Sequence, residues 1–195
     1  MDAFATLTDR SKKVALMLVV AMGFGSSAFA ANDVVTLEVP GIPGDAAFAA
    51  AYGLPADAIE VFAVSGGFTQ VLNIGSQSSG AGAGKVTFNP IKLSKHFGAS
   101  SPAILLALAE GTFFGQASAP VLISFYHVNH GSEPKKYFSI KLMSAAIESD
   151  ELSDSESRPL VNDMETVSFD YGIITITDLI TGNSSCWNRI RNTRC

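Results

Sequence analysis

Alternating apolar and polar side chains dominate much of the chain and predict β-strands. Val35, Leu37 and Val39 alternate with Thr36 and Glu38, which is the two-residue period of a strand with one buried face. Runs rich in β-branched and aromatic residues predict further strands at residues 59–68, 71–74, 86–93, 121–128, 137–147 and 167–176. The pattern therefore predicts a mainly β fold.

One segment has helical periodicity instead. Ser100 or Ser101 suits the N-cap, Pro102 suits the first helical position, and Gly111 is a typical stop signal. The apolar residues expected to share one helix face are Ile104, Leu105, Leu108 and Ala109. Residues 46–58 are rich in alanine but interrupted by glycine and proline, so we predict a loop there with no more than one helical turn.

The first thirty residues have the features of a secretory signal peptide. Basic residues precede an apolar run at residues 14–24, which is too short to span a bilayer. Ala28 and Ala30 then occupy the two positions that a signal peptidase reads. We therefore predict cleavage after Ala30 and a secreted or periplasmic protein, with a buried N-terminal helix as the alternative. Translation from Met22 would remove most of the apolar run and leave a cytoplasmic protein, and either start is open.

Composition limits the class of protein. The chain has 195 residues, of which 47% are hydrophobic and 16% are charged, and its net charge is -5. The hydrophobic fraction excludes a disordered chain, and the acidic balance excludes nucleic-acid binding driven by positive charge. After residue 30 no apolar run is long enough for a membrane span, so we predict no stable membrane insertion. We expect one domain at residues 31–179, then a C-terminal tail at residues 180–195 that is a small docking element or an irregular end.

The only two cysteines, Cys186 and Cys195, lie in this tail. In an oxidising compartment an even pair is expected to form a disulfide, which would act as a local clasp. In a cytoplasmic protein two free thiols are expected instead. Neither cysteine has a further cysteine or a histidine at zinc-finger spacing, so we predict no structural metal site.

Candidate catalytic and binding motifs do not meet their definitions. The Gly-rich segment has Ser79 where a phosphate-binding P-loop needs glycine, and Val86 where it needs Ser or Thr. His127 and His130 are three residues apart, a spacing that on a strand directs side chains to opposite faces. The third histidine, His96, has no catalytic partner that the sequence identifies. We therefore predict that the protein is not an enzyme and has no cofactor and no metal site.

Acidic residues are concentrated between the last two predicted strands. Residues 148–165 hold seven carboxylates and only one basic residue, Arg158. The acids lack the alternate spacing and the glycine of a calcium-binding EF-hand loop. We therefore predict a solvated loop rather than a calcium site.

Several short segments, in their order along the chain, resemble one protein family. The segments lie at residues 35–44, 59–70, 82–88, 94–95, 99–102, 137–142 and 167–172. The resemblance is strongest in Gly82-Ala83-Gly84-Lys85-Val86-Thr87-Phe88. Together the segments resemble the haemolysin-coregulated protein (Hcp) family, the tube proteins of type VI secretion systems.

This resemblance implies a small β-barrel of two antiparallel sheets with one flanking α-helix. It also implies hexameric rings that stack head to tail into a hollow tube and no catalytic site. The implied partners are further copies of the chain, secreted effector proteins carried in the lumen, and spike and sheath components of the secretion machine, but no nucleic acid. The family's tube proteins ordinarily lack a signal peptide. The alternative is therefore an exported barrel that acts outside the machine, as a periplasmic or extracellular binding or self-associating protein.

The Gly- and Ser-rich loop matches, by resemblance, the family's extended loop that contacts the adjacent ring. A backbone of this composition would reach a neighbouring subunit at little steric cost. The alternative is a surface loop of a monomer. The predicted ring-stacking residues are Gly75, Ser76, Gln77, Ser78, Ser79, Gly80, Ala81, Gly82, Ala83 and Gly84.

Overall fold

The structure is a computed structural model that describes residues 33–70, 86–129, 132–153 and 163–195. The helices in these ranges are α1 (Ala46–Tyr52) and α2 (Ser101–Glu110). The strands are β1 (Asp33–Glu38), β2 (Ile59–Val61), β3 (Ala63–Ser65), β4 (Phe68–Thr69), β5 (Thr87–Phe88), β6 (Ile91–His96), β7 (Phe113–Phe114), β8 (Val121–His127), β9 (Lys135–Ser153), β10 (Met164–Asp178), β11 (Ser184–Asn188) and β12 (Thr193–Arg194).

Most of the strands form one antiparallel sheet. Its main path runs β12-β11-β10-β9-β8-β1-β2, while β6 pairs with β10 and β3, and β7 pairs with β9. Strands β4 and β5 form a separate two-stranded antiparallel sheet. The prediction of a mainly β fold with two antiparallel sheets is therefore confirmed.

The long hairpin of β9 and β10 organises the large sheet. Its pairing extends from Ser153 opposite Met164 to Phe138 opposite Asp178. The other edge of β10 is shared, because β6 pairs with residues 164–169 and β11 pairs with residues 173–177. The core strand β6 and the tail strand β11 therefore follow one another along the same edge of β10.

Strands β2 and β3 connect the two sides of the sheet. β2 pairs with β1, whereas β3 pairs with β6. Between them, the backbone N–H of Phe62 donates a hydrogen bond of 2.8 Å to the carbonyl oxygen of Ser94 on β6. The sheet thus curves around the core as in a barrel, although its strand order stays open because β2 and β3 pair with different strands.

Fully buried side chains from facing strands fill the core. Leu37, Ile123, Leu142, Val167 and Phe169 are each 0% exposed. Burying a side chain of this size stabilises the fold by about 1.5–3 kcal/mol. Burial does not follow strict alternation, because Thr36 beside Leu37 on β1 is 0% exposed and Ser168 between Val167 and Phe169 on β10 is 2% exposed.

Helix α2 forms where the sequence predicts a helix, and it ends at Gly111, whose φ is 64°. Its buried face is formed by Ile104 and Ala107. Leu105 and Ala109, predicted to share a face with Ile104, are exposed, because the helix packs on β9 around the Ile104 position. Neither helix in the described part of the chain is long and apolar enough to span a membrane.

Helix α1 corrects the prediction of a loop at residues 46–58. Oδ1 of Asp45 accepts hydrogen bonds from the backbone N–H groups of Ala47 and Phe48, each at 3.1 Å, which caps the first turn. Gly53 follows the helix with a φ of 67°. The prediction is wrong because Gly53 ends a helix that was already complete, rather than preventing one.

The acidic segment is less solvated than predicted. β9 continues to Ser153 and β10 begins at Met164, so strand pairing covers both ends of the segment. Glu165 is 0% exposed, which overturns the prediction of a solvated loop at that residue. Residues 154–162 lie outside the described ranges.

Candidate functional site

The tail forms regular structure rather than an irregular end. Strand β11 extends the large sheet by pairing with residues 173–177 of β10, and β12 pairs with β11. A cavity of about 610 Å³, which we call the tail groove, lies where the tail meets the sheet. Its lining includes Phe88, Phe113, Ser144, Tyr171, Gly172 and Ile190.

Residues 189–192 form a turn between β11 and β12, which we call the tail turn. Arg189 fixes the start of this turn to β10. Its guanidinium forms an ion pair with Asp170 and donates a hydrogen bond of 2.5 Å to the carbonyl oxygen of Tyr171. The same guanidinium lies 4.8 Å from the ring centroid of Tyr171 and 5.6 Å from that of Phe88. These contacts hold a cation between two aromatic rings at the groove.

Tyr171 provides a neutral aromatic wall. Its hydroxyl donates a hydrogen bond of 3.2 Å to the carbonyl oxygen of Asn89. Burial raises the pKa of Tyr171 to about 12, although the charge of Arg189 opposes the rise. The phenol therefore keeps its proton at neutral pH and does not act as a base there.

Gly172 makes room for the exposed residue Ile190. A Cβ atom on Gly172 would lie 2.8 Å from Cδ1 of Ile190 and 3.0 Å from Cβ of Ser144. Ile190 is 74% exposed despite this contact, and Phe113 at the groove is 78% exposed. The groove thus has a closely fitted floor and apolar side chains open to solvent.

The two cysteines form a disulfide across the tail hairpin, with a Cα–Cα distance of 5.4 Å. They line a second cavity, of about 550 Å³, that we call the clasp cavity. Its other lining residues include Phe68 and Phe88 of the small sheet and Trp187 of β11. Phe88 therefore lines both cavities.

Two of the three histidines lie at strand ends, and His130 lies outside the described ranges. Nδ1 of His127 lies 2.5 Å from Oδ1 of Asp33, and its ring stacks on Tyr137 with centroids 4.1 Å apart. Burial and the Asp33 carboxylate together raise the pKa of Tyr137. His96 packs its ring against Phe62 at 4.4 Å. Neither of these ring contacts includes a nucleophile.

A buried charged cluster links β6, β10 and the start of α2. Nζ of Lys95 forms an ion pair with Oε2 of Glu165 and donates a hydrogen bond of 3.0 Å to the hydroxyl of Ser101. The Ser101 hydroxyl donates a hydrogen bond of 2.5 Å to Oε2 of Glu165. The spacing of Glu165, Val167 and Phe169 on one strand face signals that Glu165 points inward.

Asp150 faces this cluster from β9. Partial burial raises its pKa to about 6, and the nearby carboxylate of Glu165 adds to the rise, while Lys95 opposes it. Two carboxylates, those of Glu165 and Asp150, thus share the single positive charge of Lys95. The contacts of the cluster join β6, β10 and the start of α2, and Asp150 adds an electrostatic interaction from β9.

Several predicted site residues lie outside the described ranges. They are the signal-cleavage residues Ala28 and Ala30, and the ring-stacking loop at residues 75–84. Within the described ranges, no group of three or more His, Cys, Asp or Glu side chains is arranged to hold a metal ion. The tail groove was not predicted, because its residues come from five separate parts of the sequence.

Comparison with known proteins identifies a family of matching sequence pattern and solved structures of similar fold. The family model described as "Type VI secretion system effector, Hcp" matches residues 36–177. A comparison with curated proteins gave no match.

Solved structures show the same fold at low identity. Hcp1 from Salmonella typhimurium is 15% identical, with a TM-score of 0.65, covering 84% of this chain and 99% of that one. Hcp1 from E. coli EAEC 042 is 18% identical, with a TM-score of 0.57 and coverages of 82% and 99%. Hcp3 from Pseudomonas aeruginosa is 20% identical, with a TM-score of 0.52 and coverages of 80% and 96%.

Proposed function

Because the chain belongs to the Hcp family of type VI secretion system proteins, we propose that it is a structural tube protein that forms hexameric rings, stacks them into a hollow tube and carries effectors. The observation that carries this proposal is the family match over residues 36–177, which runs from β1 into β10. The proposal assigns no enzymatic reaction and no cofactor to the chain.

Exposed apolar side chains support self-association. Leu105 and Leu106 on α2 are 61% and 57% exposed, and Phe113 and Ile190 at the tail groove are 78% and 74% exposed. Large apolar side chains that stay in solvent are typical of surfaces covered in an assembly. Contacts between two different faces of one chain close into rings or extend into filaments.

The polar clusters support a structural rather than a catalytic role. Arg189 is held by Asp170, and Lys95 is held by Glu165 and Ser101. These groups contact each other and join neighbouring elements. The partners that follow from the proposal are further copies of the chain, effector proteins in the lumen, and spike and sheath components.

We assign ring stacking to residues 75–84, which follow β4 and precede β5 in the chain. Replacing Gly80 and Gly82 by tryptophan is expected to leave single rings intact and to abolish longer tubes in negative-stain electron micrographs. The matched control is Gly98→Trp, because a side chain at Gly98 meets open space. Tubes of unchanged length in the Gly80/Gly82 variant would contradict the stacking role.

The second candidate is an exported Hcp-like protein that acts outside the secretion machine, in the periplasm or outside the cell. The disulfide between Cys186 and Cys195 favours it, since such bonds persist in oxidising compartments. Intact-mass spectrometry of the protein from its native cells separates the candidates. A chain that starts at Ala31 with an oxidised cysteine pair supports export by the signal peptide. A cytoplasmic chain that starts at Met22 with free thiols supports the tube role.

A further inference from the structure

We propose that the Cys186–Cys195 disulfide is a redox clasp, whose reduction releases β12 and the end of the tail turn while the rest of the sheet stays folded. The clasp would then set the shape of the two cavities that tail residues line. This claim concerns the tail alone and goes beyond the proposed tube function.

The few backbone contacts of β12 support its release on reduction. Among the strands that the structure describes, β12 pairs with β11 alone, through Trp187 opposite Arg194 and Asn188 opposite Thr193. Residues 190–195 are all exposed. Since two residue pairs at an exposed sheet edge give little stability, the disulfide is the principal restraint on β12.

The rest of the tail has independent anchors. β11 pairs with β10 along residues 184–188, and Trp187 packs against the core cluster. Arg189 is held by its ion pair with Asp170 and its hydrogen bond to Tyr171. Reduction is therefore expected to free the chain only beyond Arg189, rather than to detach the whole tail.

The freed residues belong to the walls of both cavities. Arg194 and Cys195 line the clasp cavity, opposite Phe68 and Phe88 of the small sheet. Ile190 lines the tail groove and lies over Gly172. Release would thus open the clasp cavity and withdraw an apolar side chain from the groove.

The reduction is a thiol–disulfide exchange. Sγ of Cys195 is the expected point of attack, because Cys195 is exposed whereas Cys186 is half-buried. The thiolate of a dithiol reductant bonds to this sulfur, the disulfide breaks, and Cys186 leaves as a thiolate that takes up a proton. The second thiolate of the reductant then attacks the reductant sulfur that is bonded to Cys195, and Cys195 leaves as a thiolate that takes up a proton. Two electrons have then passed from the dithiol to the protein, and the reductant is left as a cyclic disulfide.

The consequence for assembly rests on the proposed function. The small sheet β4–β5 lines the clasp cavity with Phe68 and Phe88, and in the sequence β4 precedes and β5 follows the segment to which we assign ring stacking. A chain in a reducing cytoplasm and a chain in an oxidising compartment would therefore differ in the surface around this small sheet.

Hydrogen–deuterium exchange of the purified full chain, as processed by its cell, tests the clasp without requiring tubes. The oxidised protein is compared with protein reduced by dithiothreitol. Amides in residues 190–195 are expected to exchange at least tenfold faster after reduction, with about 100-fold as the upper value for a loop of this length. Peptides from β9 and from residues 164–172 of β10 are expected to stay unchanged.

A double variant, Cys186→Ser with Cys195→Ser, controls for effects of the reductant and is expected to match reduced protein in either buffer. Equal exchange of residues 190–195 in the oxidised and reduced forms would overturn the proposal. Loss of protection across β9 and β10 on reduction would also overturn it, because the bond would then be a restraint on the whole fold. A failure of tube formation would not affect this measurement.

Discussion

At the scale of single residues, the fold places charge where its neighbours can compensate it. Lys95 and Glu165 are almost fully buried, with side-chain exposures of 3% and 0%, and each has the other as its charge partner. Asp150 adds a second carboxylate to one lysine. Partial burial raises the pKa of Asp150 most, and the neighbouring carboxylate of Glu165 adds to the rise.

Replacing Asp150 by asparagine is expected to remove a pH-dependent loss of stability. The pKa of Asp150 is raised from 3.8 to about 6 in the folded protein, so the folded state holds the proton more tightly than the unfolded state. The contribution of Asp150 to stability is therefore fully present below about pH 4 and is lost as the pH rises through 6. Asp150→Asn should melt above the wild type at pH 7.5, with the difference disappearing at pH 4.

The control for this prediction is Glu151→Gln, because Glu151 is the next residue on β9 and is exposed. It should change the melting temperature little at either pH. A Glu151→Gln variant that behaves like Asp150→Asn would show that general charge reduction, rather than the Asp150 site, is responsible.

A side chain at Gly172 is expected to crowd Ile190 and to cost some stability. A Cβ atom there would approach Cδ1 of Ile190 at 2.8 Å and Cβ of Ser144 at 3.0 Å. Gly172→Ala should therefore lower the free energy of unfolding by about 1 kcal/mol in urea titrations, as small overpacking changes do. In an Ile190→Ala background most of that cost should disappear. An equal cost in both backgrounds would contradict the fit between Gly172 and Ile190.

At the scale of elements, the sequence predicts what depends on local pattern. The alternation at residues 35–39 predicted that β1 is a strand, although Thr36 on its polar side is buried, and α2 was predicted from Pro102 and Gly111. α1 was missed because glycine and proline near its end were interpreted as breaks, although Asp45 was a visible cap. The ends of β9 and β10 were missed because acidic residues concealed the inward alternation of Glu165.

The cap of α1 gives a prediction at this scale. Asp45→Ala removes the acceptor for the N–H groups of Ala47 and Phe48 and should destabilise the protein by about 1 kcal/mol. Asp45→Asn keeps a capping oxygen and should cost much less. Chemical denaturation of both variants checks this, and equal losses would mean that the charge of Asp45, not its cap, stabilises the helix.

At the scale of the whole molecule, the candidate surfaces depend on residues that are distant in sequence. The tail groove joins Phe88, Phe113, Tyr171 and Ile190, which only the folded sheet brings together. No local pattern identifies such a set. The family, by contrast, was recognisable from the order of segments, because that order follows the strands that build the sheet.

Native mass spectrometry of the purified protein shows whether the chain forms the hexameric rings that we propose. A main species with the mass of a hexamer is expected, and it should persist on dilution into the low micromolar range. Phe113→Asp and Ile190→Asp variants with unchanged melting temperatures would then show whether the exposed apolar residues take part. A protein that remains a folded monomer across the accessible concentrations would contradict the proposed ring-forming tube function.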